Sequence, residues 1–136
     1  MSNPPMAGAR PARILIVDDE VDNRELLQIM LEWRGFHIQT AASAEEALIR
    51  AAAEPPDLML VDLMLPGIDG CQLTAALKED ERTQGIPVIV LSAMNDSVTR
   101  KRALSTGAEA YLTKPIDRSE LYEQVQTVLD TASAPK

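Results

Sequence analysis

Apolar residues follow two alternating patterns along this chain. Short uninterrupted runs are bounded by acids, Pro or Gly, which is typical of strands buried on both faces of a parallel sheet. Between them, apolar residues recur three and four positions apart, as in amphipathic helices. The predicted strands are 14–17, 36–41, 58–62, 87–91 and 111–113. The predicted helices are 21–34, 44–53, 71–79, 95–105 and one that starts near 117 and presents an apolar face up to 129.

Helix start and stop signals support these limits. Ser43 is followed three residues later by Glu46, which is a capping box, and Asp117 to Glu120 repeats the spacing. Gly35 and Gly107 stand where the first and fourth predicted helices end. Five strands alternating with five helices predict an α/β fold with a parallel sheet and right-handed crossovers.

The chain is organised as one domain with two tails. Its 136 residues, 46% of them apolar, are enough for a single core. Residues 1–12 are rich in Pro, Gly and Ala, and we predict a disordered N-terminal tail. The folded domain is predicted to span 13–131, and 132–136 to form a C-terminal tail.

Composition excludes several classes of function. The net charge of −8 argues against direct binding of nucleic acid or an anionic membrane by this domain. No apolar run is long enough to span a bilayer, and the N-terminus lacks a signal-peptide core. Cys71 is the single cysteine, so an internal disulfide and a Cys-rich zinc site are excluded. We therefore expect a cytoplasmic protein.

Polar side chains stand where four of the predicted strands end. These residues are Asp18, Asp19, Asp62, Ser92 and Lys114. In open parallel sheets the ligand site lies outside the carboxyl ends of the strands, so the five side chains should meet at one edge. Acids at strand ends can be ordinary turn or helix caps, but capping does not explain a lysine that faces three acids. No Gly-rich phosphate loop is present, so nucleotide binding by that route is unsupported.

Five motifs follow one another along the chain: Val17-Asp18-Asp19, the segment 61–70, Leu91-Ser92-Ala93, Gly107-Ala108 and Lys114-Pro115. In this order they resemble the receiver domain of bacterial response regulators, from Ala12 to Thr131. The resemblance implies a flavodoxin-like, doubly wound sheet of five parallel strands in the order 2-1-3-4-5. It also implies a signalling switch in a two-component system or phosphorelay.

The resemblance assigns a phosphoryl-accepting role to Asp62. This carboxylate is expected to take a phosphoryl group from a phosphohistidine of a sensor histidine kinase or a histidine phosphotransfer protein. Mg²⁺ is the implied cofactor, held by Asp19, by Asp18 directly or through water, by Asp62 and by the backbone carbonyl of Met64. Mg²⁺ prefers oxygen ligands, and a divalent ion relieves the repulsion among three carboxylates.

Ser92 and Lys114 are expected to bind phosphoryl oxygens. A cis bond before Pro115 would help to aim the lysine. In the family's strand order Lys114 starts two strands from Asp62, roughly 10 Å away, so only a long side chain closes that gap.

The resemblance also suggests a switch and a determinant of phosphoryl lifetime. Ser92 and Tyr111 stand at the switch positions, although Tyr111 could equally be a half-buried strand tyrosine. The surface that changes is expected to be the fourth helix, fifth strand and fifth helix. Met64 and Met94 lie two residues beyond Asp62 and Ser92, and we expect these apolar side chains to screen water and prolong the phosphorylated state.

Two other classes of function compete with a switch. A dehalogenase-type phosphatase also uses an aspartyl-phosphate, but it needs an acid two residues after the nucleophile, where this chain has Met64. A receiver-like interaction module that is never phosphorylated stays possible. We expect a stand-alone or differently linked receiver, monomeric before phosphorylation, with a receiver fragment of a longer regulator as the alternative; its downstream target is unknown.

Four further features receive structural interpretations. His37 lies on an outer strand and is expected to have no chemical role. Cys71 is expected to be a small buried residue. The basic run 100–102 is interpreted as a solvated helix face. For Trp33, the sequence allows either the core or a partner surface.

Overall fold

The computed structural model describes residues 10–133 and contains five strands and five helices in strict alternation. The strands are β1 (Arg13–Val17), β2 (His37–Ala41), β3 (Leu58–Asp62), β4 (Val88–Ser92) and β5 (Ala110–Thr113). The helices are α1 (Val21–Trp33), α2 (Ala44–Ala53), α3 (Gly70–Glu79), α4 (Ser97–Ser105) and α5 (Arg118–Ser133).

All five strands pair in parallel in the order β2-β1-β3-β4-β5, so the predicted fold class is confirmed. Successive strand residues point to opposite faces of the sheet. Leu15 and Val17 of β1 therefore pack with α2 and α3, whereas Ile14 and Ile16 pack with α1 and α5. The sheet is buried between two helical layers, which explains why its strands are uninterrupted apolar runs.

Two helix limits differ from the prediction by two residues or more. The fourth helix begins at Ser97 rather than Asn95, because the Asp96 side chain accepts a hydrogen bond from the Thr99 backbone N–H (2.9 Å) and caps the helix. The last helix extends to Ser133, through the start of the expected C-terminal tail. No Gly or Pro occurs between Arg118 and Ser133, so the sequence contains no helix-breaking residue that would end the helix earlier.

The predicted tails are only partly covered by the structure. Residues 1–9 and 134–136 lie outside the described range. Within residues 10–133, no helix combines the length and the apolar character that crossing a membrane requires.

Asp69 fixes the start of α3. Its Oδ1 accepts from the Gln72 N–H (2.9 Å), and Gln72 Oε1 accepts from the Asp69 N–H (2.8 Å), which forms a complete capping box. Its Oδ2 lies 2.7 Å from Arg102 Nη2 on α4. Partial burial raises the pKa of Asp69. The hydrogen bonds from Gln72 and Arg102 lower it by more, so that the pKa lies below its usual value of 3.8.

We expect Asp69→Ala to lower the free energy of unfolding by about 1–2 kcal/mol at pH 7, because the cap and the ion pair are lost together. Asp69→Asn keeps a capping oxygen and should lose less. A lowered pKa means that the stabilisation is present above the usual value of 3.8 and is lost as the pH falls below it. Urea unfolding of the three proteins between pH 7 and pH 3 measures this difference, and equal stability of Asp69→Ala and wild type at pH 7 would contradict it.

Candidate functional site

The carboxyl ends of four neighbouring strands form the candidate site. Asp18 follows β1, Asp62 ends β3, Ser92 ends β4 and Lys114 follows β5. Because neighbouring strands lie about 4.8 Å apart, these ends are within reach of one another. The sheet topology thus brings residues from positions 18 to 114 of the chain to one edge.

Lys114 joins two of the strand ends. Its Nζ lies 3.1 Å from Asp62 Oδ1 and 3.5 Å from Asp18 Oδ2. Its backbone N–H donates to the Ser92 carbonyl (2.7 Å), and the Lys114–Pro115 peptide bond is cis. The long side chain spans the gap from β5 to β3 and supplies one cation to two buried acids.

Asp62 is held in an environment that disfavours its charge. Its side chain is nearly buried, and Met64 N–H donates to its Oδ1 at a long 3.4 Å. Burial raises the pKa of Asp62, and the negative charge of Asp18 raises it further, while Lys114 partly opposes both. An added positive charge at this edge would therefore favour the ionised form of Asp62.

Asp18 is buried and incompletely satisfied. Its Oδ1 accepts from the Glu20 N–H (2.9 Å), but its Oδ2 accepts no hydrogen bond although Lys114 lies 3.5 Å away. A buried carboxylate oxygen without a hydrogen-bond donor is costly unless a cation satisfies it. Because Lys114 Nζ is shared with Asp62, the Oδ2 of Asp18 can still bind a further cation.

Three carboxylates at the end of β1 fit a divalent cation. Among the described residues, Asp18, Asp19 and Glu20 offer oxygens within 4.8 Å of one another, and Asp18 is buried while the other two are exposed. Oxygen donors are the ligands that Mg²⁺ prefers, and the unsatisfied Asp18 Oδ2 is available to one. Asp62, also an expected ligand, is not part of this group and is connected to Asp18 through Lys114.

The sequence pattern did not single out two residues at this edge. Glu20 belongs to the acidic run, but it was not among the predicted ligands. Arg24 on α1 donates from Nη1 to the Asp18 carbonyl (2.7 Å). Its contact with Asp18 depends on the direction in which α1 leaves β1, so no sequence signal could have identified it.

Ser92 and Tyr111 are connected through the backbone of one residue. Ser92 is fully buried, and its Oγ accepts from the Met94 N–H (3.0 Å). Tyr111 is also buried, and its hydroxyl donates to the Met94 carbonyl. The Arg100 guanidinium carbon lies 5.9 Å from the tyrosine ring centroid. Any movement of Ser92 that breaks its bond to Met94 therefore affects the residue that holds the tyrosine.

The remaining residues from the sequence analysis lie apart from this edge or on its surface. Met64 and Met94 are 66% and 49% exposed. His37 is exposed at the start of β2, and Cys71 is buried at the start of α3. Trp33 is 74% exposed, so it does not belong to the core. In the run 100–102, Arg102 pairs with Asp69 and Arg100 lies over Tyr111.

The family model for the response regulator receiver domain matches residues 14–126. Among curated proteins, the response regulator PleD of Caulobacter vibrioides is 39% identical over 86% of this chain and 26% of its own length. The phosphate regulon transcriptional regulatory protein PhoB of Pseudomonas aeruginosa is 40% identical over 85% of this chain and 51% of its own length. The chain thus spans about a quarter to a half of these relatives.

Solved structures show the same fold. A putative response regulator from Chloroflexus aurantiacus has a TM-score of 0.85 at 35% identity, covering 88% of this chain and 98% of that one. A CheY-like receiver domain protein from Methanospirillum hungatei has a TM-score of 0.83 at 30% identity, covering 90% and 96%. The similarity thus extends over nearly the whole of both structures.

Proposed function

Because the chain belongs to the response regulator receiver domain family, we propose that its switch chemistry takes place on Asp62, which accepts a phosphoryl group from a phosphohistidine. This family acts in two-component signalling and is not a conventional enzyme family. The observation that carries the proposal is Lys114, whose Nζ lies 3.1 Å from Asp62 and 3.5 Å from Asp18 at a buried edge.

Transfer breaks the bond between phosphorus and the donor's histidine nitrogen and forms one to an oxygen of Asp62. The carboxylate must be ionised to attack, and the positive charge of Lys114 favours that form. As negative charge arrives, Lys114 Nζ can pair with a phosphoryl oxygen. Such transfers depend mainly on positioning and charge neutralisation, so the self-catalysed step requires little more from the protein than this arrangement.

We propose that Asp18, Asp19 and Glu20 would hold a divalent cation, with Asp62 and the Met64 carbonyl as its further ligands. Mg²⁺ would neutralise phosphoryl and carboxylate charge at this edge. The support is the oxygen-only donor set and the unsatisfied Oδ2 of buried Asp18.

The output of the switch is proposed to pass through Ser92, Met94 and Tyr111. A phosphoryl group on Asp62 offers Ser92 Oγ an acceptor for its proton and draws the side chain away from Met94 N–H. Met94 then holds the Tyr111 hydroxyl in a new position, and the surface formed by α4, β5 and α5 changes. Met64 and Met94 remain our proposed determinants of phosphoryl lifetime.

We propose that the donor is a sensor histidine kinase or a histidine phosphotransfer protein. The downstream target is a protein that reads the altered surface, and the domain itself binds no nucleic acid. We further propose that the folded unit, expected over 13–131 and extended to Ser133 by α5, is monomeric until phosphorylated. The activity and partners of a longer protein that contained this domain would depend on segments outside the compared region.

Incubation with acetyl phosphate and Mg²⁺ tests the transfer. We expect intact-mass spectrometry to show one added phosphoryl group, about 80 Da, only when Mg²⁺ is present. No adduct from acetyl phosphate or from a phosphorylated phosphotransfer protein would instead support a receiver-like module that is not phosphorylated.

Mg²⁺ alone should stabilise the fold. A ligand that binds the folded state raises the free energy of unfolding by about 2.7 kcal/mol at one hundred times its dissociation constant, so we expect a melting temperature several degrees higher at saturating Mg²⁺. Asp19→Ala should remove most of this increase. Equal increases in wild type and in Asp19→Ala would contradict the proposed site.

A further inference from the structure

Arg24 occupies a position that helix electrostatics does not explain. It lies in the first turn of α1, where the positive end of the helix dipole disfavours a cation. It is also close to the proposed cation site, since its Nη1 donates to the carbonyl of Asp18 (2.7 Å). Within residues 10–133, the Arg24 side chain donates to this backbone oxygen and not to any of the three carboxylates. This geometry suggests a role in shaping the backbone.

Asp18 is held by hydrogen bonds to its backbone and to its side chain. Its N–H donates to the carbonyl of Ala41 at the end of β2 (3.1 Å). Its Oδ1 accepts from the N–H of Glu20 (2.9 Å), and its carbonyl accepts from Arg24. This carbonyl belongs to the peptide unit that joins Asp18 to Asp19, so its orientation sets the direction in which the Asp19 side chain leaves the backbone. Of these contacts, only the hydrogen bond from Arg24 is made to the peptide bond between Asp18 and Asp19.

We propose that Arg24 is a positioning residue that fixes the Asp18–Asp19 peptide, so that the carboxylates of Asp18, Asp19 and Glu20 converge on a divalent cation. This inference rests on the proposed function, since it concerns the same cation. Arg24 acts through the backbone and does not touch the ion. Groups that orient metal ligands typically contribute as much as 10–100-fold to metal affinity.

Charge and positioning predict opposite results for this residue. If Arg24 acted only through its charge, its removal would relieve repulsion and tighten Mg²⁺ binding. If it fixes the peptide, its removal loosens the ligands and weakens binding. The sign of the change in Mg²⁺ affinity therefore separates the two roles.

Three variants make the test. Arg24→Met keeps an unbranched apolar stem and removes the donor and the charge, while Arg24→Lys restores both. Lys101→Met removes one positive charge and one donor from the exposed surface of α4, and it is the matched control. Isothermal titration with Mg²⁺ measures the dissociation constant, and far-UV circular dichroism without Mg²⁺ checks that each protein folds.

We expect Arg24→Met to weaken Mg²⁺ binding by roughly ten-fold, Arg24→Lys to recover most of the affinity and Lys101→Met to match wild type. Phosphorylation of Arg24→Met from acetyl phosphate should need more Mg²⁺ but approach the wild-type rate at saturation.

Unchanged or tighter binding in Arg24→Met would overturn the inference. If Arg24→Met does not fold, wild-type affinity combined with wild-type stability in Arg24→Lys supports it, and ten-fold weaker binding there overturns it. If wild type does not bind Mg²⁺, both the proposed cation site and the inference about Arg24 are wrong. This outcome differs from failure of the inference alone, in which wild type binds Mg²⁺ and Arg24→Met binds it equally well or more tightly.

Discussion

Asp62→Asn is expected to abolish phosphorylation while leaving the fold intact or slightly more stable. The amide cannot attack phosphorus as a carboxylate does, so the added mass should disappear. Burial and the charge of Asp18 raise the pKa of Asp62, which means that the folded state disfavours its ionised form. This cost appears as the pH rises above the usual value of 3.8, and the neutral amide removes it at pH 7.

The gain in stability should be modest, because Lys114 loses its 3.1 Å partner and retains only the 3.5 Å contact with Asp18. A gain of about 1 kcal/mol corresponds to a rise of about 3 °C in the melting temperature for a domain of this size. Thermal unfolding without Mg²⁺, followed by intact-mass spectrometry with acetyl phosphate and Mg²⁺, measures both effects.

Asp57→Asn is the control for this substitution. Asp57 lies just before β3, at the opposite end of the strand from Asp62, and its Oδ2 accepts from the Arg13 N–H (2.7 Å). An asparagine can still accept this bond, so phosphorylation should equal that of wild type. If Asp62→Asn still gains the phosphoryl mass, another residue is the phosphoacceptor. A melting temperature lower by ten degrees or so would instead give Asp62 a structural role.

The sequence allowed the fold and the set of strand-end residues to be predicted, because both depend on patterns with a simple period. A sheet covered on both faces requires uninterrupted apolar strands, and the runs 14–17 and 58–61 could be recognised without coordinates. Because parallel strands bring their carboxyl ends to one edge of the sheet, the polar residue that follows each run is then expected at that edge. The strand order itself came from the family resemblance, since apolar runs do not encode which strands are neighbours.

The finer contacts could not be predicted, because they depend on the paths of individual side chains. Tyr111 is buried and its hydroxyl donates to the Met94 carbonyl, whereas the sequence left a half-buried strand tyrosine as an equal alternative to the switch role. The contact of Arg24 with the Asp18 carbonyl depends on the direction in which α1 leaves β1. Trp33 is exposed, although its apolar character also fitted the core. Propensity and periodicity carry no information about these directions.

Gly70 is the second position at which a large effect is expected. It is the first residue of α3, and its N–H donates to the Leu63 carbonyl (2.8 Å). A β-carbon there would lie 2.6 Å from the carbonyl oxygen of Asp62 and 2.8 Å from the Cα of Leu63. Both are backbone atoms of the segment that carries the proposed phosphoacceptor, so neither can rotate aside. The requirement for glycine therefore comes from space.

We expect Gly70→Ala to lower the free energy of unfolding by about 3 kcal/mol, near the upper end of the usual cost of overpacking. Movement of α3 away from β3 is resisted by the hydrogen bond from the Gly70 N–H to the Leu63 carbonyl (2.8 Å) and by the burial of Leu73 and Leu77 in the core. The end of β3 should therefore shift, and Asp62 should move relative to Lys114. Because a misplacement of about 1 Å can cost 100-fold in rate, we expect phosphorylation to slow by roughly ten-fold or more.

Gly85→Ala provides the matched control, because a β-carbon at Gly85 meets no atom within 4 Å. Its φ lies outside the left-handed region, so alanine introduces no strain there. This variant should be neutral, or more stable by about 0.4–1 kcal/mol, because alanine reduces the conformational freedom of the unfolded chain. Urea unfolding and the rate of phosphorylation from acetyl phosphate distinguish the pair. Similar stability and rate in both variants would mean that β3 and α3 are less tightly joined than the contacts of Gly70 indicate, and that Asp62 does not depend on this junction for its position.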